Sequence, residues 1–185
     1  MATIEPFRSW LPLDERARAE RDPRISTLLT AVRDHMEHEI RGDLARLMET
    51  LTAEPVYHLW NTSGAFTLTG RAAVTGFYQN LIALGANQFE VVIDKIVGDH
   101  GNVITEGQVK QVQRGEALLG AGRSEVGGRP VKPGDLFLTR AQLITVWPAD
   151  PDGRLIGEDI YYGENPLARA VPITRADLPE GYRLP

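Results

Sequence analysis

A chain of 185 residues, 42% of them hydrophobic, has material for one domain with its own core and is short for two. Its net charge of −5 is dispersed, so it offers no basic face to nucleic acid or to an anionic membrane surface. With no cysteine there is no disulfide and no thiolate chemistry; the N-terminus turns charged too early for a secretion signal, and no apolar run reaches membrane-spanning length, so a cytoplasmic protein is expected. Asn61-Thr62-Ser63 matches a glycosylation sequon, which carries no meaning without secretion.

Residues 1–24 read as an N-terminal arm broken by Pro6, Pro12 and Pro23, in which only Asp14–Glu20 can form a short charged helix. From Ile25 the apolar residues Leu28, Leu29, Val32, Met36 and Ile40 follow the three-and-four spacing of one helical face. Gly42-Asp43 interrupts the stripe, which resumes at Leu44, Leu47, Met48 and Leu51, so two helices with a tight link are predicted. Pro55 forces an extended start, and Val56–Trp60 is rich in strand formers. Thr69 or Gly70 caps a further helix whose inner face is Val74, Phe77, Tyr78 and Leu81.

Two hairpins follow. Phe89–Val97 and Val103–Val112 flank the turn Asp99-His100-Gly101-Asn102, and Leu136–Trp147 and Arg154–Tyr162 flank Pro148–Gly153. Between them, residues 114–135 hold six glycines and two prolines, a stretch expected to be a lid, a binding loop or a disordered excursion. The main domain is placed at 25–166, with 114–135 as an insertion. The Pro-punctuated tail, 167–185, is read as a segment able to wrap a neighbouring subunit.

Three stretches, GDLARLMETLTAEPVYHLW, GRAAVTGFY and DGRLIGEDIYYGENP, occur in an order that resembles the nuclear transport factor 2-like superfamily from roughly Ser26 to Pro166. Ketosteroid isomerase, scytalone dehydratase, limonene epoxide hydrolase and the SnoaL-like polyketide cyclases share that fold. The resemblance implies an α+β class, a cone-shaped α+β barrel in which helices pack over a strongly curved antiparallel sheet enclosing a hydrophobic pocket. It fixes no activity, because the scaffold hosts isomerases, dehydratases, hydrolases, cyclases and noncatalytic binders. Carried over position by position, the catalytic carboxylate of ketosteroid isomerase falls on Leu59, its oxyanion-binding tyrosine on His35, and the acid completing its oxyanion hole near Leu143. The arginine and two aspartates of the epoxide hydrolase fall on Gly107, Val109 and Ile160, while its cavity tyrosine falls on Tyr57. Neither mechanism can run on those residues.

Strand alternation then populates the pocket. With Tyr57 and Leu59 inward, His58 and Trp60 face the other way; the same register turns Thr105, Gly107, Val109 and Gln111 inward, and with them Glu158, Ile160 and Tyr162. His35, Glu158 and Tyr57 are the candidate catalytic residues, and Leu59, Thr105, Val109, Gln111, Ile160 and Tyr162 the candidate substrate contacts. A carboxyl in hydrocarbon has a raised pKa and can move protons near neutral pH, and an imidazole opposite it can take the complementary role or bind a developing oxyanion.

Each candidate also has a purely structural reading. His35 can be a buried helix histidine, Glu158 a rim carboxylate paired with Arg154 or Arg140, and Tyr57 and Tyr162 pocket lining, while Phe77 and Tyr78 read as helix packing. His58, Glu106 and Asp159 would replace the chosen residues if the register slipped by one. His35 with His38 or Glu39 has helical ligand spacing but lacks a third group, so no metal is expected, nor any cofactor.

The sequence therefore points to a lyase, dehydratase or isomerase acting by general acid/base chemistry on a bulky, apolar, oxygenated molecule. Polyketide-like, steroid-like and lignin-derived diaryl compounds are the classes the resemblance implies, with a noncatalytic hydrophobic-ligand or partner binder as the alternative. A homodimer formed through an outer sheet face carrying Trp60 is expected.

Overall fold

The computed structural model describes residues 3–62 and 64–185; Ser63, which completes the sequon, and the first two residues of the arm lie outside them. A 3-10 turn at Pro6–Arg8 leads into α1 (Leu11–Ala19), where Pro12 occupies the first turn and so removes an N–H that needs no intrahelical partner. The arm reading is corrected here. Ile4 and Leu13 are fully buried and Trp10 joins the main core, while the Arg41 guanidinium lies 5.4 Å over the Phe7 ring and 5.2 Å over that of Trp10.

Helix α2 (Pro23–Arg41) is capped by the Asp22 carboxylate, which accepts from the Arg24 and Ile25 N–H groups, and ends at Gly42 in the left-handed conformation (φ 75°) that a side chain would resist. Asp43 then caps α3 (Leu44–Glu49). Strand β1 (Leu51–Asn61) is twice as long as the predicted run and carries Pro55 within it. β2 (Gly64–Thr69), absent from the sequence reading, pairs back on it before α4 (Arg71–Ala83). The first hairpin is β3 (Glu90–Gly98) and β4 (Asn102–Arg114).

Residues 114–135 are folded rather than a structureless loop. They form α5 (Gly115–Gly120) and the short pair β5 (Glu125–Val126) and β6 (Arg129–Pro130), and Leu118, Val126 and Val131 bury themselves with Phe137 in a satellite core. The second hairpin is β7 (Leu136–Pro148) and β8 (Leu155–Tyr162). The tail returns to its own chain: β9 (Val171–Ile173) pairs with β7, and Leu178 and Tyr182 pack with Ile4, Val112 and Leu138.

The main sheet runs β2-β1-β8-β7-β4-β3, curved under the helices. Two details depart from the expected antiparallel barrel. β1 and β8 pair in parallel, and β2 and β3 do not meet, so the sheet is open and the helices cover its concave face. Two irregularities bend it, one in β1 between Leu51 and Val56 and one in β3 between Ile93 and Lys95, opposite Gly107. On the outer face Trp60 stacks on Tyr161 at 4.5 Å, with the His58 ring 5.4 Å away. Among the described residues no helix is long and apolar enough to cross a membrane.

Candidate active site

The concave face of the sheet, α2 and α4 line a cavity of about 110 Å³ that is partly open to solvent. All six predicted contacts line it: Leu59 from β1, Thr105, Val109 and Gln111 from β4, and Ile160 and Tyr162 from β8. The strand register is therefore as the alternation predicted. His58 and Asp159 pair with each other at 2.7 Å, and Glu106 pairs with Lys95 at 2.6 Å, all away from the cavity. The rest of the wall is mainly hydrocarbon and aromatic, including Met36, Phe77, Phe89, Leu143 and Trp147.

At one end this hydrocarbon gives way to a buried polar cluster. Glu158 is only 5% exposed and touches neither Arg154 nor Arg140; its Oε1 accepts a hydrogen bond from the Tyr78 hydroxyl at 2.8 Å and lies 3.1 Å from His35 Nε2. The Tyr57 hydroxyl is 2.9 Å from that of Tyr78 and 3.2 Å from His35 Nε2. The three predicted catalytic residues thus meet, joined by Tyr78, which the sequence had assigned to packing.

The tautomer of His35 follows from its neighbours. Thr50 Oγ1 donates its only hydrogen to the Leu47 carbonyl at 2.7 Å, so at 2.6 Å from His35 Nδ1 it must accept. Nδ1 therefore carries a proton, and Nε2 faces Glu158 and the two tyrosines. Nε2 and Glu158 Oε1 can bond only through one proton, held by the imidazole or by the carboxyl; without it Nε2 accepts from a tyrosine. Burial and the charge of Glu158 both push the Tyr57 and Tyr78 hydroxyls well above the ordinary tyrosine range, so each is a neutral donor. Tyr162 is pushed up to about 12, first by burial and then by the charges of Glu39 and Glu158.

Placement divides these groups. Glu158 and Tyr78 line the cavity, whereas His35 and Tyr57, both with no exposed surface, are not among its walls. Tyr57 is thus corrected from substrate-orienting residue to hydrogen-bond partner behind the wall.

Glu39, weighed in the sequence only as a metal-ligand partner of His35, is the further acid of the site. It lies one turn beyond His35 on α2, is 8% exposed and lines the cavity. A ring nitrogen of His35 and carboxylate oxygens of Glu39 and Glu158 lie within 4.8 Å of one another. Two full charges 4.8 Å apart repel by about 3.5 kcal/mol at an effective dielectric constant near 20. Desolvation first, and that repulsion second, raise the Glu39 carboxyl well above its ordinary value. Glu158 supplies the third group that local spacing lacked, so these residues could together hold a metal ion, a possibility set aside on sequence alone. A charged residue inside the apolar stripe formed by Val32, Met36 and Ile40 was the available signal for Glu39.

An open sheet wrapped on helices, with a deep apolar pocket ending in buried acids, defines a pocket-bearing α+β protein of the nuclear transport factor 2-like type. Residues 32–145 match the SnoaL-like domain family, and the chain belongs to it. A protein described as a SnoaL-like polyketide cyclase from Shewanella putrefaciens CN-32 superposes with a TM-score of 0.61 at 13% identity, covering 88% of this chain and 90% of its own. A second protein so described, from Jannaschia sp. CCS1, gives 0.56 at 16%, covering 81% and 97%. SalBIII, an epoxide hydrolase/cyclase-like enzyme of pyran ring formation in the polyether salinomycin, gives 0.51 at 12%, covering 82% and 94%. At such identities the likeness is one of fold. Comparison with curated proteins finds no match.

Proposed function

We propose that this protein is an enzyme that moves protons within a bulky, apolar, oxygenated small molecule, giving lyase, dehydratase or isomerase chemistry carried by its own side chains. The observation that supports this reading is Glu158, a carboxylate at the end of an apolar cavity whose Oε1 meets the Tyr78 hydroxyl at 2.8 Å and His35 Nε2 at 3.1 Å. Glu158 takes a proton from the substrate and returns it at a second position. His35 acts through Glu158 as a positioning residue and proton partner, its ring fixed by Thr50. Tyr78 donates to the ionised carboxylate, and Tyr57 supports Tyr78 from behind. Tyr162, four residues further along the same face of β8, orients a substrate oxygen. The apolar walls suit an aromatic or polycyclic skeleton.

The experiment begins with mass spectrometry of small molecules extracted from the purified protein, followed by chromatographic assay of the conversion of those found and of aromatic ketones and polycyclic alcohols. Glu158→Gln should lower kcat by about 10²–10⁴-fold while binding persists, the usual contribution of a proton-transfer group. His35→Ala should lower kcat and displace the pH–rate profile without a matching rise in KM. Unchanged turnover in both variants would reject the assignment.

A second reading, a noncatalytic binder of the same hydrophobic ligands, draws support from the apolar residues Leu59, Gly107, Val109 and Ile160 at positions where relatives carry catalytic groups. It is distinguished by saturable affinity with no product from any variant.

A further inference from the structure

The inner cavity alone is too small for a bulky ligand. Its volume of about 110 Å³ falls below the roughly 150 Å³ of an apolar cavity that holds one benzene, so it admits one ring and little more. The rest of the molecule must lie where the cavity opens. There a second recess, of about 450 Å³, shares Leu59, Gln111 and Tyr162 with the inner wall and continues past Asn165 to Arg123. The two parts differ in chemistry. The inner one presents the carboxyl groups of Glu39 and Glu158 and, among the described residues, neither lysine nor arginine; the outer one presents a guanidinium and no acid.

Arg123 belongs to the folded insertion. Its N–H donates to the Leu118 carbonyl at 2.8 Å, and Leu118 and Val126 on either side are seated with Phe137 in the satellite core, so the backbone that carries it is held in place. Arg114 and Arg169 nearby pair with Glu116 and Glu164. The Arg123 side chain makes no ion pair or hydrogen bond among the described residues. A guanidinium offers only donors, in a planar fork that matches a carboxylate, so the kind of group it receives is settled by its chemistry. The span is settled by the strand. Glu158 and Tyr162 lie on one face of β8 four residues apart, about 13 Å at about 3.3 Å per residue, the length of two aromatic rings in line.

We propose, resting on the pocket assignment above, that the site is a two-part slot for an elongated, two-ring aromatic acid: one ring enters the inner cavity with its oxygenated end toward Glu158, and a carboxylate at the other end is received by Arg123. The slot also sets direction, because a carboxylate turned inward would leave water for hydrocarbon beside two acids with no cation to receive it. Arg123 is then a specificity-determining residue, remote from the reacting atoms, that fixes which end of the ligand reaches Glu158.

Three compounds test this by equilibrium dialysis at pH 7 and about 0.05 M salt: 4′-hydroxybiphenyl-4-carboxylate, the matching 4-carboxamide, and 4-hydroxybenzoate, which keeps both polar ends on a single ring. The native protein should bind the biphenyl acid about three- to tenfold more tightly than the amide, the worth of a charge-assisted bond at an exposed guanidinium, and at least about tenfold more tightly than the one-ring acid, which cannot fill both parts. Arg123→Gln should abolish the preference for the acid and leave the affinity for the amide within about twofold, whereas Arg123→Lys, a cation without the planar fork, should keep part of it. Salt raised to about 0.5 M should shrink the preference of the native chain. Equal affinity for acid and amide, a preference undiminished in Arg123→Gln, 4-hydroxybenzoate bound as tightly as the two-ring acid, or no probe binding to the folded native protein would each overturn the proposal. Because binding alone is read, a chain that shows this preference yet makes no product would overturn the enzyme reading and leave this one standing.

Discussion

If Glu39 keeps its proton in the folded chain, stability must fall as pH rises, and Glu39→Gln must remove that dependence. In the unfolded chain Glu39 titrates near its ordinary value of 4.5, whereas in the folded chain burial and the neighbouring Glu158 hold it well above. Between those two values the native state binds a proton that the unfolded state has released, so each added pH unit favours unfolding by at most about 1.4 kcal/mol. The stability this group contributes is complete below 4.5 and is lost as pH climbs through the folded value. From pH 5 to pH 7 the loss approaches about 2.7 kcal/mol if the folded carboxyl stays protonated throughout, a sizeable part of the roughly 5–15 kcal/mol that holds a domain together. Urea unfolding of both proteins at pH 5, 6, 7 and 8, followed by tryptophan fluorescence, measures it. The variant's stability minus that of the native chain should rise steadily with pH. Any constant offset reflects packing of the amide and does not bear on the argument. A difference that stays flat above pH 5 would mean Glu39 ionises like an exposed acid, and the reasoning would fail.

Tyr78→Phe removes the hydroxyl that donates to Glu158 at 2.8 Å and meets that of Tyr57 at 2.9 Å. It should cost about 1–2 kcal/mol in thermal or urea unfolding, because Glu158 Oε1 loses a donor and the Tyr57 hydroxyl loses a partner, and an unchanged midpoint would contradict the bonding described. Gly107→Ala should be far more damaging than its size suggests, since the added Cβ would lie 1.9 Å from the Val92 carbonyl oxygen opposite the β3 irregularity. Either β3 separates from β4 or the bend is lost; a loss of about 3 kcal/mol or more is expected in calorimetry, and an unchanged Tm would contradict the packing described.

How much of this was legible in the sequence depended on whether a residue's partner was local. The cavity walls could be read because alternation along a strand has period two: once Tyr57 faces inward, so do Leu59 and, across the register, Glu158 and Ile160. Helix α2 could be read from its apolar stripe and from Gly42. The N-terminal segment was misread because Pro12 was taken as a breaker, although the first turn of a helix is where proline fits, and because a short helix burying only Leu13 and Ala17 shows little periodicity. β2 escaped because its residues are mostly exposed and pair only with β1. The tail packs on its own chain because Leu178 and Tyr182 find a cluster made by Ile4, Val112 and Leu138, remote in sequence. Tyr78 looked like packing because its hydroxyl bonds to a carboxylate 80 positions along the chain.

Glu39 is the instructive case. On α2 it is a charged residue in an apolar stripe, four positions from His35, and the local sequence supplies nothing to neutralise it. What perturbs that position further is distant: Glu158, 123 positions from His35, brings a second acid beside it and takes Tyr78 as its own donor and the imidazole as its partner. The two acids then differ in what the fold denies or grants them: burial and its neighbour raise the Glu39 carboxyl, which has no donor, while Glu158 accepts from Tyr78 and faces the imidazole.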